Sequence, residues 1–351
     1  MNIRQRLEVF WSGERPDQIP YTIYQNEWKY KSSDPGWESM FENGLGITWN
    51  IPSYRMILQG VETREERYTE NNQPMYRHIF STPLGEISST CLIGVDMDDW
   101  PCKYYLETPQ DYRVMHYIVK HTNIIPDYQQ YLDVAQALPE YCVPLVPIGY
   151  SPMLKIMLDL TGLINFSVHL YDFKDELIEL YEALCEQFHQ ICEITAGGPG
   201  RFVANLESFS ADTMGPKRFK EYVLSVYEHD FPALRSAGKI VGCHFDGKTA
   251  SCKDLIRTAP IDLIESLTPP PEGDQTLAEA RQNWPDLLFW ANINVSSYNL
   301  PPQQLKDTVL DLVSQAAQDG RKLAFEISEH CPVNWKGSIP VVLEALKETR
   351  V

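Results

Sequence analysis

The sequence predicts an α/β protein built on a closed parallel barrel, and three observations predict it. From about residue 140 onward, short apolar runs rich in β-formers alternate with amphipathic stretches, the pattern of repeated βα units around a parallel sheet. The length, 351 residues, lies in the range of one such barrel carrying an insertion. Several of the runs finish in ionisable or amide residues, and in a βα barrel the chemistry sits where strands finish. Together these give a TIM (β/α)8 barrel in one domain over residues 1–351, with an antiparallel β insertion in its N-terminal half.

In chain order, "IPYTIYQ" near the N-terminus is the first strand. Residues 44–100 read differently, because they alternate apolar with polar residues and break at "ENNQP" and "STPLGE". This predicts an inserted antiparallel meander. Six further strands follow at "VPLVPIG" (143–149), "RFVANLES" (201–208), "KIVGCHF" (239–245), "DLIESL" (262–267), "LLFWANIN" (287–294) and "KLAFEIS" (322–328). "LINFSVHL" (163–170) is the candidate for an eighth strand, which would close the barrel. Between strands, Leu177, Leu180, Ala183, Leu184, Phe188 and Ile191 recur at three- and four-residue steps and predict a helix with one buried face.

Composition narrows the function. With 43% apolar and 22% charged residues the chain has material for a core and is neither disordered nor membrane-like. No run reaches the ~18 apolar residues of a spanning helix, and "MNIRQRLEVFWSGERPDQIP" lacks a signal peptide's apolar centre. A cytoplasmic protein without a membrane partner is the expectation. Acids outnumber bases 48 to 30, a formal charge of -18, which argues against nucleic acid as a partner. The eight cysteines include no CxxC pair and read as reduced, mostly buried thiols.

The strand ends supply the candidate site: Glu207, His244 with Asp246, Glu265, Asn292 with Asn294, and Glu326 with His330 and Cys331. Residues two apart on a strand share a face, so His244 and Asp246 look one way and Cys243 the other, into packing. A histidine, a carboxylate and a thiolate from different strand ends suit zinc, with three protein ligands and one position open. The same side chains equally suit hydrogen bonds and ion pairs, with Cys331 an inert core thiol, and no close-spaced ligand motif separates the two readings.

The stretches "SFSADTMGPKRFKEYVLSVYEHDFPALRSAGKIVGCHFDG", "DLIESLTPPPEGDQTLAEARQNWPDLLFWANIN" and "ISEHCPVNWKGSIPVVLEALKE", with the opening "IRQRLEVFWSGERPDQIPY", resemble the uroporphyrinogen decarboxylase superfamily of TIM barrels. Its decarboxylases hold a polycarboxylate with an N-terminal "RQAGR"-like segment, where this chain reads "NEWKYKSSDPGW". Its methyltransferase branch carries His-X-Cys at one strand end and a further cysteine later. The related barrel of cobalamin-independent methionine synthase adds a glutamate between them. The resemblance therefore implies zinc held by His244, Glu265 and Cys331, with Asp246 where the family has cysteine. Asp246 is left as a ligand, an orienting partner of His244 or a substrate contact.

"ESLTPPPEGD" combined with "HFDG" resembles the methyltransferases of methyl-ether demethylation. These pass a methyl group from a small-molecule donor, an O-methylated aromatic, to the cobalt of cobalamin carried by a separate corrinoid protein. In that reading Glu207, Asp246 and Glu326 are the catalytic carboxyls, with Glu207 and Glu326 donating protons to the leaving oxygen or pairing with barrel lysines and arginines. Tyr24, Trp28, Trp100, Asn292 and Tyr298 are candidates for the substrate pocket, and His330 for a proton shuttle or a solvent-facing side chain. Homodimers occur in the superfamily, so a homodimer is a compatible assembly. A metal-independent decarboxylase, with Asp246 or Glu207 placing the substrate, and a catalytically silent ligand-binding barrel are the alternatives.

Overall fold

The computed structural model describes residues 1–351 apart from 27, 29–31, 95–98, 318, 328–329 and 350–351. Contacts divide the chain into two compact units, one of Met1–Pro52, Gln129–Gly149 and Pro199–Val351, the other of Ser53–Tyr128 and Tyr150–Gly198.

The first unit holds the barrel. Its strands are β1 (Tyr21–Tyr24), β2 (Leu45–Asn50), β3 (Cys142–Gly149), β4 (Phe202–Asn205), β5 (Ile240–His244), β6 (Leu263–Leu267), β7 (Leu288–Asn292) and β8 (Leu323–Ile327). All eight pair in parallel, each with the next, and β8 closes on β1 with Tyr21 opposite Phe325. The expected (β/α)8 barrel is the observed one, and seven strands lie on predicted runs. The eighth is "LGITWN", which the sequence reading had placed at the start of the meander. Leu45 to Thr48 are all buried, as in a strand covered on both faces, and a short run of this kind cannot be told by periodicity from the polar strands that follow it. "LINFSVHL" instead lies in the helix Gly162–Asp172, where Phe166 and His169, three apart, are buried and Ile164 is 81% exposed.

The strand starts are sealed by the N-terminal helix Ile3–Trp11, which Asn2 opens with a capping box against Gln5. Its Ile3, Leu7, Phe10 and Trp11 pack with Val143, Phe202, Leu263, Leu288 and Trp290. Trp11 stacks on Phe202 at 5.2 Å, and Phe10 meets Trp290 edge-on at 6.2 Å. Each such side chain contributes about 1.5–3 kcal/mol by leaving water. Higher in the barrel, Trp290 Nε1 donates to Thr22 Oγ1 at 3.1 Å. The apolar plug thus fills the lower interior and leaves the strand ends for polar groups.

In the second unit, Glu62–Glu70, Gln73–Thr82, Gly85–Leu92 and Trp100–Lys103 form the expected antiparallel sheet. Asn71 and Asn72, at φ 49° and 62°, make the tight turn that two left-handed residues allow. The antiparallel strands start at Tyr54, not near residue 44, and the unit also contains the helices Pro109–Lys120 and Lys174–Gly197. The six apolar residues expected to line the latter helix are all buried. Among the described residues one helical run, Pro152–Asp172, is long and apolar enough on average to cross a membrane, although Lys155 and Asp159 interrupt it. Half of its apolar window is buried within the fold, and its backbone turns at Gly162, φ 70°.

A Cβ at Gly46 would stand 2.4 Å from Ile3 Cγ1, a β-branched side chain held in the plug. Gly46→Ala is expected to cost about 1–3 kcal/mol in urea unfolding. Combined with Ile3→Ala it should lose less than the sum of the two single changes; strict additivity would show that the helix does not seat on β2.

Candidate active site

Strand alternation builds the site. Gly242 faces the barrel interior, where a Cβ would meet Phe202 at 2.4 Å, so His244, two residues on, also faces inward at the end of β5. Glu265 on β6 is its register partner, and Glu326 on β8 lies in register with both Asn292 of β7 and Thr22 of β1. Tyr24 ends β1 and reaches the same point.

His244 is 8% exposed. Its Nδ1 lies 2.9 Å from Glu265 Oε2 and 3.0 Å from the Tyr24 hydroxyl, which in turn donates to Glu265 Oε1. Nε2 is 3.6 Å from Asp246 Oδ2, an ion-pair distance rather than a hydrogen bond. Burial alone holds an imidazole's pKa down, but the carboxyls of Glu265 and Asp246 outweigh it and push His244 well above its ordinary value. Burial, then Glu265 and Glu326, push the Tyr24 phenol well up, so it stays a donor.

The register of β6 shifts between Glu265 and Leu267, and Ser266 between them takes φ 61°. That bulge aims the Ser266 N–H at Glu326 Oε1, 2.9 Å away. Ser266 Oγ also accepts from Asn292 Nδ2 at 2.7 Å. Glu326 is fully buried, and its Oε2 has no hydrogen-bond donor. Burial first, then the neighbouring Glu265, push its pKa well above the carboxylate range. Burial beside a second carboxyl thus favours the protonated form of Glu326.

Other expected residues lie elsewhere. Glu207 is fully buried but accepts from Asn205 Nδ2 at 2.6 Å and from the Tyr227 hydroxyl at 2.5 Å, in a network between β4 and the helix Ser225–Ser236. Cys243 joins that network, 3.6 Å from Asn205 Nδ2, facing away from His244 as alternation requires. Tyr298 is buried, its hydroxyl 2.8 Å from that of Tyr21, and Cys331 is buried beside this pair. Trp28 stands 6.0 Å from Trp49 and lines a separate cavity with Asn2, Trp37 and Phe41. Trp100 is 70% exposed on the four-stranded sheet. Asp246, Asn292 and His330 do share a cavity, of about 320 Å³.

The zinc reading can be tested on these donors. His244 and Glu265 are in contact, but among the described residues His244, Glu265 and Cys331 do not offer ligand atoms within 4.8 Å of one another. The three residues as arranged do not fit a shared zinc. The group that assembles is Tyr24, His244, Glu265 and Glu326. Sequence reasoning took Tyr24 for a pocket wall and missed Ser266, since nothing in "LIESL" announces a left-handed serine.

No protein-family model matches the chain, and no curated protein matches it. Among solved structures it is similar to a methyltransferase from Methanosarcina mazei, at 11% identity over 100% of both chains and a TM-score of 0.60. The likeness is one of fold. It is also similar to a B12-independent methionine synthase from Shewanella sp. W3-18-1, at 10% identity over 91% of this chain and 86% of that one, with a TM-score of 0.46.

A buried acid with a raised pKa stabilises the fold below its unfolded value, about 4.3, and loses that contribution as pH rises toward its folded one. Glu326→Gln keeps the shape and supplies a fixed donor. The stability of the variant relative to the parent, from urea unfolding, is therefore expected to increase between about pH 5 and pH 8. Parallel profiles would show that Glu326 carries no proton.

Proposed function

We propose that this chain is a methyltransferase, taking the methyl group of a small methylated molecule and passing it to the cobalt of a corrinoid carried by a separate protein. An aromatic methyl ether is the donor that the sequence resemblance implies. The single observation that carries the reading is a fully buried Glu326 at the strand ends, one oxygen without a hydrogen-bond partner, whose pKa burial and the neighbouring Glu265 push upward. The barrel likeness to the Methanosarcina mazei methyltransferase supports it at the level of the scaffold.

A methyl ether is inert because its oxygen must leave with both electrons of the C–O bond. In the proposed reaction the reduced cobalt of the partner attacks the methyl carbon, the C–O bond breaks, and the departing oxygen takes the proton from Glu326. General acid catalysis of this kind contributes about 10²–10⁴ in rate. Tyr24 and His244 hold Glu265 by its two oxygens, which fixes the carboxyl that Glu326 faces. No step passes through zinc. Decarboxylation of an acidic substrate is the weaker reading, because the group at the strand ends is itself acidic.

The test is transfer from a panel of methoxylated aromatics to reduced cobalamin, read by the cobalt absorption change. Glu326→Gln is expected to lower kcat about 10²–10⁴-fold, and His244→Ala to lower it comparably. Unchanged turnover in Glu326→Gln would remove the acid role. Stoichiometric zinc in fresh protein that disappears in Cys331→Ser would overturn the metal-free arrangement.

A further inference from the structure

The cavity of about 320 Å³ over the ends of β5 to β8 bears on which methyl donor enters. Asp246 and Glu272 stand in its wall with Asn292 and His330, and Ile293 and Ile327 give it an aliphatic side. Its volume admits one substituted ring and is far too small for a tetrapyrrole. No lysine or arginine lines it among the described residues.

The imidazole nearest Asp246 is already engaged. His244, 3.6 Å from Asp246, gives Nδ1 to Glu265. Glu272 Oε2 accepts a neutral donor, Asn294 Nδ2, at 2.8 Å, so its charge has no counter-ion there. Glu326, whose Oε2 lacks a donor, adds a further buried acid to the same strand ends. An anionic ligand would meet carboxyls on two walls inside a chain of formal charge -18. A cation would complete them.

We propose that this cavity binds the methyl donor by an ammonium group set between Asp246 and Glu272, so that the substrate is an amine-bearing methylated compound and not a carboxylate. The inference rests on the methyl-transfer reading for its placement of the donor. Ile293 and Ile327 then hold the ring.

Three probes of one shape and different charge test it: 4-methoxybenzylamine, 4-methoxybenzyl alcohol and 4-methoxybenzoate, titrated calorimetrically into the full chain. The amine is expected to bind about tenfold tighter than the alcohol, with the benzoate weaker than both. Glu272→Gln is expected to lower amine affinity about fivefold and leave the alcohol unchanged. Raised salt should weaken the amine alone. Equal or tighter binding of the benzoate, or an equal loss for all three probes in Glu272→Gln, would overturn the proposal. Binding in the expected order without methyl transfer to cobalamin would support the cavity's charge preference and overturn the methyltransferase reading instead.

Discussion

Two carboxyl groups buried side by side repel each other when both are charged, and the upper barrel is arranged around that constraint. Glu326 has one oxygen tied to the Ser266 N–H and the other without a donor, facing a neighbour, Glu265, that is itself held by Tyr24 and His244. Burial and the neighbouring Glu265 push the Glu326 pKa upward, whereas Glu265 and Asp246 favour the charged form of His244 against that same burial. The protonated form of Glu326 is thereby favoured at the strand ends.

The helix Ile3–Trp11 plugs the strand starts with aromatic and aliphatic side chains, and Trp290 uses its one donor on Thr22. The bulge at Ser266 is the local departure from regular strand geometry that completes the cluster. A left-handed serine is strained, and it persists because its N–H, its hydroxyl and its carbonyl all have partners on three strands or their loops.

Much of this was legible along the chain. Apolar runs located seven strands, and two-residue alternation placed His244 and Cys243 on opposite faces, because pleating dictates that much without help from the rest of the fold. The eighth strand was not legible. "LGITWN" is too short to show a period of its own, and the polar strands after it drew it into the wrong element, while "LINFSVHL" was apolar enough to be mistaken for it. For the site, residue type marked Glu207, Glu326 and Cys331 alike as strand-end candidates.

By itself, then, the sequence determined the barrel, its acidic character and the opposite facing of His244 and Cys243, since these follow from local periodicity and composition. Only the tertiary structure decided which acids meet. Glu207 turns to Tyr227 and Cys331 lies beside Tyr21 and Tyr298, whereas Glu326 reaches Glu265. Register between strands far apart in the chain, and one bulge, set those distances, and neither is encoded in the spacing of residues along a single strand.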